Sequence, residues 1–255
     1  MEALLEPLRE LAEIEEIQNE KKKEAGLIQI TGCVGSQKTH LTCALGSDCK
    51  YKLIVTSGES KAKQMYEEYR FLKETVYLYP AKDLLFYHAD LRGKQLVSSR
   101  METIQALLLG EGCTVITTFD AFMDSLLPIE TIRERVFSLK VGDIIDFEKV
   151  QKDLMLLGYE REVQIEGPGQ FAVRGGILDV YPLTEEVPVR IELWDDEIDS
   201  IRTFDVESQR SIENLEEITI YPASEFMDEK TKRVSFLDYF PREDYAFIFG
   251  SSRHG

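Results

Sequence analysis

At 255 residues the chain has room for one large domain or two small ones, and 43% hydrophobic residues without a long apolar run read as a soluble globular protein. A formal net charge of −17 argues against a free-standing nucleic-acid binder, which would carry a basic patch. Cys33, Cys43, Cys49 and Cys113 show neither CxxC spacing nor paired histidines, so reduced thiols in a cytoplasmic protein are expected in place of disulfides or zinc.

The N-terminus has no basic region followed by an apolar run, so no secretory leader is expected. Glu2 to about Lys23 repeats apolar residues at helical spacing (Leu4, Leu5, Leu8, Leu11, Ile14, Ile17) and predicts an amphipathic helix. Leu27–Ile30 predicts a short strand that runs into Gly32-Cys-Val-Gly-Ser-Gln-Lys-Thr39, with a helix over His40–Leu45. Strands over Tyr51–Thr56, Val76–Tyr79 and Thr114–Thr118 alternate with helices over Ser60–Lys73, capped by Ser60, and over Gln95–Leu109. Lys82–Asp90 reads as loop. This alternation predicts a parallel, doubly wound sheet. A short helix over Phe119–Leu126 follows, with Asp120 as its cap, and Pro128 ends the pattern.

From about Ile129 the chain changes character. Arg133–Leu139 alternates like a strand, and Asp146–Gly158 reads as a helix. Phe171-Ala-Val-Arg-Gly-Gly-Ile-Leu-Asp-Val-Tyr-Pro182 reads as strand broken by a glycine pair, the mark of a bulge or a close backbone approach. Val189-Arg-Ile-Glu-Leu-Trp194 alternates strictly. Parity places Val189, Ile191 and Leu193 on a core face and Arg190, Glu192 and Trp194 on an outward one. A hairpin around Asp195-Asp196 and a strand over Leu215–Tyr221 complete an antiparallel sheet. Ala223–Gly255 reads as helical or mixed. Between Glu160 and Glu217 stand sixteen Asp or Glu against five Arg and no Lys, a composition that favours solubility.

Gly32–Thr39 nearly matches the phosphate-binding loop G-x-x-x-x-G-K-[ST] between a strand and a helix. Lys38 and Thr39 are the residue types that serve the β/γ-phosphates and magnesium. Gln37 stands where the second glycine belongs, and its side chain obstructs the close approach of backbone to phosphate. Asp195–Asp199 superficially offers the acidic strand end that an ATPase needs. The strand before it alternates, however, whereas a carrier strand is apolar throughout. The turn therefore reads as a degenerate nucleotide site. His40, His88 and His254 lack metal-like spacing, and no nucleophile elbow is present, so no catalytic residue and no metal site are assigned.

Gly169–Pro182, Val189–Asp205 and Ser208-Gln-Arg210 together resemble the amino-terminal module of the bacterial transcription-repair coupling factors (the Mfd family), a module shared with the excision-repair helicase UvrB. The resemblance covers essentially the whole chain, more weakly before Pro128. It implies an α/β fold: a degenerate RecA-like parallel-sheet lobe (1–128), an inserted α+β domain with an antiparallel sheet (129–222), and a partial return to the first lobe (223–255). It implies a non-catalytic fragment without cofactor, ATP serving only the full-length proteins. UvrA is the implied partner. RNA polymerase and DNA would be reached only through regions absent here, and no membrane is involved. Carried onto this sequence, the UvrA contact falls on Arg174, Arg190 and Trp194, with Arg202 continuing the pattern. If that face is exposed, truncating Arg190 or Trp194 should leave folding stability almost unchanged. The competing expectation is a nucleotide-dependent, UvrB-like helicase fragment holding phosphate at Gly32, Lys38 and Thr39.

Overall fold

The computed structural model describes residues 12–21, 29–33, 35–45, 49–72, 75–82, 91–224, 232–240 and 245–250. Helices in chain order are α1 Ala12–Lys21, α2 Gln37–Leu45, α3 Glu59–Arg70, α4 Leu91–Leu109, α5 Phe119–Phe122, α6 Ile129–Arg133 and α7 Phe147–Leu156. Strands of three residues or more are β1 Tyr51–Thr56, β2 Val76–Tyr79, β3 Thr114–Thr118, β4 Phe137–Lys140, β5 Glu160–Glu162, β6 Gln170–Arg174, β7 Ile177–Tyr181, β8 Val189–Trp194, β9 Glu197–Phe204, β10 Ser211–Leu215, β11 Glu217–Ile220 and β12 Tyr245–Gly250. The fold is mixed α/β, with a four-stranded parallel sheet and a six-stranded, mainly antiparallel sheet, as the sequence predicts.

The chain divides into two compact units: Met1–Lys82 with Leu109–Asp124 and Ser235–Gly255, and Asp83–Leu108 with Ser125–Val234. Most of α4 therefore groups with the second unit, where Ser98 Oγ donates to the Leu183 carbonyl at 2.9 Å.

The first unit is built on a parallel sheet in the order β12-β1-β3-β2. Every residue of β1 and β3 is buried, the near-continuous burial of strands covered on both faces. Cys43, Ile54, Ala62, Tyr69, Leu72, Val76 and Ile116 form one apolar cluster in it. Lys52 is buried within β1. Its ammonium donates to the carbonyls of Thr42 (3.0 Å) and Cys43 (3.1 Å) and to the Tyr69 hydroxyl (2.8 Å), so all three of its donors are used.

Local chemistry corrects several boundaries. Helix α3 is capped by Gly58, not Ser60. The Gly58 carbonyl already accepts from the amides of Lys61 and Ala62, which starts the helix before Ser60. Helix α5 is capped by Thr118, whose hydroxyl accepts from the Ala121 amide at 3.2 Å, while Asp120 lies in the first turn. The alternating run from Arg133 splits: α6 follows Pro128 and ends at Arg133, and β4 begins only at Phe137. Beyond Ala223 the chain contributes a 3-10 turn at Phe236–Tyr239, with Phe236 stacked on Tyr79 at 4.0 Å, and then strand β12. Gln29 and Ile30 are not in a strand; Leu27, Ile28 and most of the expected N-terminal helix lie outside the described residues.

The second unit carries a six-stranded sheet in the order β10-β9-β8-β7-β6-β5, antiparallel except for β5 beside β6. β4 and β11 form a separate antiparallel pair. The glycine pair is the β6–β7 hairpin turn rather than a bulge. Gly175 takes φ +60°, and a Cβ on Gly176 would stand 3.0 Å from the Leu193 carbonyl oxygen. The bulge lies in β9, where the register shifts between Ile198 and Ser200. That shift keeps Ile198 and Ile201 both buried although they are three residues apart.

Candidate partner-docking surface

Register and parity build the outward face of the six-stranded sheet. Ala172, Asp179, Arg190 and Arg202 stand in one cross-strand row, and Ile177, Glu192 and Ser200 in the next toward the β8–β9 hairpin. Phe171, Leu178, Val180, Val189 and Ile191 face the other way and are all buried. The predicted separation of Arg190, Glu192 and Trp194 from Val189 and Ile191 is therefore what the pleat produces, while Leu193, expected in the core with them, is only half-buried near the strand end. One end of the outward face is not bare: Ile165, Ala172 and Phe204 form a small apolar cluster with Tyr181 against it.

Asp179 on β7 is the hub of this face and is 1% exposed. Arg190 grips it with both prongs, Nε to Oδ1 at 2.7 Å and Nη2 to Oδ2 at 2.9 Å. Arg174 adds a third bond, Nη2 to Oδ2 at 2.8 Å. Arg190 Nη2 also donates to Gln209 Oε1 at 2.8 Å, and the guanidinium lies 4.3 Å from the centre of the Phe204 ring. The hydrogen bonds to Asp179 raise the Arg190 pKa further above its ordinary high value. Bidentate, charge-assisted bonds of this kind fix direction as well as energy. Arg202 stands opposite Arg190 in the register and pairs with Glu192, which also accepts from Ser200 Oγ at 3.3 Å. The two like charges thus each have their own carboxylate, which offsets their cross-strand repulsion.

The four sequence-predicted residues share this face but differ in exposure. Arg190 and Arg202 are half-buried within their ion pairs, Arg174 is exposed, and Trp194 stands 81% exposed at the end of β8. Arg174 is not on the strand next to Arg190; β7 lies between them and supplies Asp179, which joins the two. The geometry also alters the expectation for Arg190, whose truncation removes two of the three bonds to a buried carboxylate. Sequence reasoning names Asp179 and Glu192 only as pairing partners for the arginines of a solvated strand face; the pairs form, but it missed Asp179 as a buried organiser, and Gln209 and Phe204 as supports. The available signal was an aspartate flanked by Leu178 and Val180 in an otherwise apolar strand.

The Gly32–Thr39 turn is described except for Val34. Gly32 and Gly35 take φ +89° and +54°, and Lys38 is exposed. Thr39 is buried at the start of α2, and its hydroxyl donates to Glu68 on α3. Among the described residues no cluster of three or more His, Cys, Asp or Glu could hold a metal ion, and no helix is long and apolar enough to cross a membrane.

Residues 137–226 match the family described as the UvrB interaction domain, and they contain the whole of this face. The chain is 34% identical over 215 residues to the transcription-repair-coupling factor of Bacillus subtilis, a match covering 82% of this chain and 18% of that protein. It is 36% identical over 203 residues to that of Staphylococcus epidermidis (78% and 17%) and 40% identical over 154 residues to that of Staphylococcus aureus (60% and 13%). Most of the chain is thus similar to one part of the transcription-repair coupling factors, and that part includes the match to the UvrB interaction domain. It spans less than a fifth of the length of the curated relatives it matches.

Proposed function

We propose that the outward face of the six-stranded sheet docks UvrA, and that this module recruits UvrA to stalled transcription without chemistry of its own. The observation that carries the reading is the exposed indole of Trp194 on the same face as the exposed Arg174, a face whose other arginines are held in ion pairs by Asp179 and Glu192. Tryptophan and arginine on a rigid platform are the residue types that dominate protein interfaces. The match to the UvrB interaction domain supports the same partner class.

Arg174 and Trp194 are the clean probes. Arg174→Ala removes one of three bonds to Asp179, and Trp194 is mostly in water, so both variants should unfold with the wild type. Each should weaken binding of purified UvrA by roughly thirtyfold, the equivalent of about 2 kcal/mol. Wild-type affinity in both variants, measured by calorimetry or surface plasmon resonance, would refute the reading.

The Gly32–Thr39 turn takes no catalytic part in this proposal. Gln37 occupies the second glycine position, and the Thr39 hydroxyl that magnesium would need is committed to Glu68. ATP turnover should not exceed that of a Lys38→Ala control, with or without DNA. Turnover above the control would favour a nucleotide-driven fragment instead.

A further inference from the structure

The Trp194 end of the sheet continues onto a segment outside the strands. Trp194 on β8 pairs with Glu197 on β9, and Glu197 in turn bridges to Ile144 in the loop before α7. Directly opposed residues of antiparallel strands point to the same face. Trp194, Glu197 and Ile144 therefore form one row across the sheet, spanning two strand spacings or about 10 Å.

Ile144 is 74% exposed, yet its backbone is held firmly. The Gly142 amide donates to the Ile198 carbonyl at 2.8 Å, the Ile145 amide to the Asp196 carbonyl at 2.9 Å, and the Ile198 amide to the Asp143 carbonyl at 2.9 Å. Asp146 then caps α7 through the Lys149 amide at 3.0 Å. The Asp143 carboxylate accepts from the Lys140 amide at 3.0 Å, which closes the turn. A lone exposed isoleucine on a loose loop would need no explanation. Here a fixed backbone presents an isoleucine and the chain's single tryptophan to water on either side of one glutamate.

We propose that Ile144 and Trp194 form a paired apolar anchor astride Glu197, and that it seats in an apolar recess of UvrA rimmed by lysine or arginine. This rests on the reading of the sheet face as the UvrA surface and extends that surface beyond the strands. Charge selects the occupant's chemistry: Asp143, Asp195, Asp196, Glu197 and Asp199 are all exposed around the pair. An acidic rim around an apolar centre excludes acidic partners and favours a basic one.

The experiment measures binding of purified UvrA to the intact 255-residue chain and its variants. Ile144→Asp should weaken binding at least tenfold and Ile144→Ala a few-fold, with unfolding midpoints unchanged because the side chain lies in solvent. Ile144→Leu should bind like the wild type. If the two side chains fill one recess, Ile144→Ala combined with Trp194→Ala should lose less than the product of the two single losses. Wild-type affinity in Ile144→Asp alongside weakened binding in Trp194→Ala would overturn this inference and leave the docking face standing. Weakened binding in Ile144→Asp with Trp194→Ala unaffected would overturn the pairing. Wild-type affinity in Arg174→Ala, Trp194→Ala and Ile144→Asp alike would overturn the docking face and this extension together.

Discussion

At the scale of single residues, the face depends on one buried carboxylate and two arginines with unequal duties. Asp179 is inside the protein and carries no apolar compensation for its charge; Arg190 supplies two of its bonds from a position only 14% exposed, and Arg174 one from a position 47% exposed. Removing one partner of a buried pair leaves the other charge stranded, whereas exposed pairs contribute little. Arg190→Ala should therefore cost on the order of 3 kcal/mol of folding stability, and Arg174→Ala less than about 1 kcal/mol. Asp179→Asn keeps the shape but cannot accept from both prongs of Arg190, so it should also be destabilising and should loosen the side chains that the partner meets. Urea denaturation of the three variants checks this; an Arg190→Ala midpoint equal to that of Arg174→Ala would show that Asp179 is not the hub. A loss of UvrA binding in Arg190→Ala must then be corrected for the folded fraction, which is why Arg174 and Trp194 are the better interface probes.

At the scale of elements, periodicity was the legible signal. β8 alternates in sequence throughout and in burial from Val189 to Glu192, whereas β1 and β3 are buried throughout although they carry Lys52 and several threonines. Caps were less legible, because Ser60 and Asp120 are good capping residues that lost to backbone bonds at Gly58 and to the Thr118 hydroxyl. The Asp179 hub was hidden for a different reason. Its partners come from β6 and β8, and strand pairing across that distance is not written in local pattern. Burial also leaves groups in both units that resist ionisation. Desolvation pushes the Cys113 thiol, next to β3, up to about 12 and raises the Tyr69 hydroxyl on α3 and the Tyr159 hydroxyl before β5. Groups whose folded pKa is raised keep their proton in the native state while the unfolded chain releases it. Their contribution is complete below the unfolded values, near 9 to 10, and is lost as pH rises toward the folded ones. Unfolding free energy should thus fall steadily above about pH 9. Guanidinium titrations at pH 8 and pH 10 test it, and equal stabilities would show that these groups are accessible in the folded chain.

For the whole molecule, charge decides which partners are excluded. The formal net charge is −17, and the stretch from Glu160 to Glu217 holds sixteen carboxylates against five arginines. That asymmetry was fully legible in the sequence; what it left open was whether the arginines were available to an anion. Three of the five are Arg174, Arg190 and Arg202, and each already faces a carboxylate, Asp179 or Glu192. Non-specific binding of duplex DNA requires several clustered cations to displace counterions from the phosphates, and its strength grows with the number displaced. A face whose cations are neutralised in place displaces few, and the acidic rim at Asp195–Glu197 repels the backbone. The fragment should therefore give no gel shift of duplex DNA at micromolar protein near physiological salt. Lowering the salt should not produce one either, since reduced screening strengthens the repulsion along with any attraction. UvrA binding under the same conditions should persist, because a partner with a basic rim meets the same carboxylates as complementary charge. A DNA complex that dissolves as salt is raised and that is lost in Arg174→Ala would show that this face offers free cations, and the assignment of its arginines to Asp179 and Glu192 would have to be abandoned.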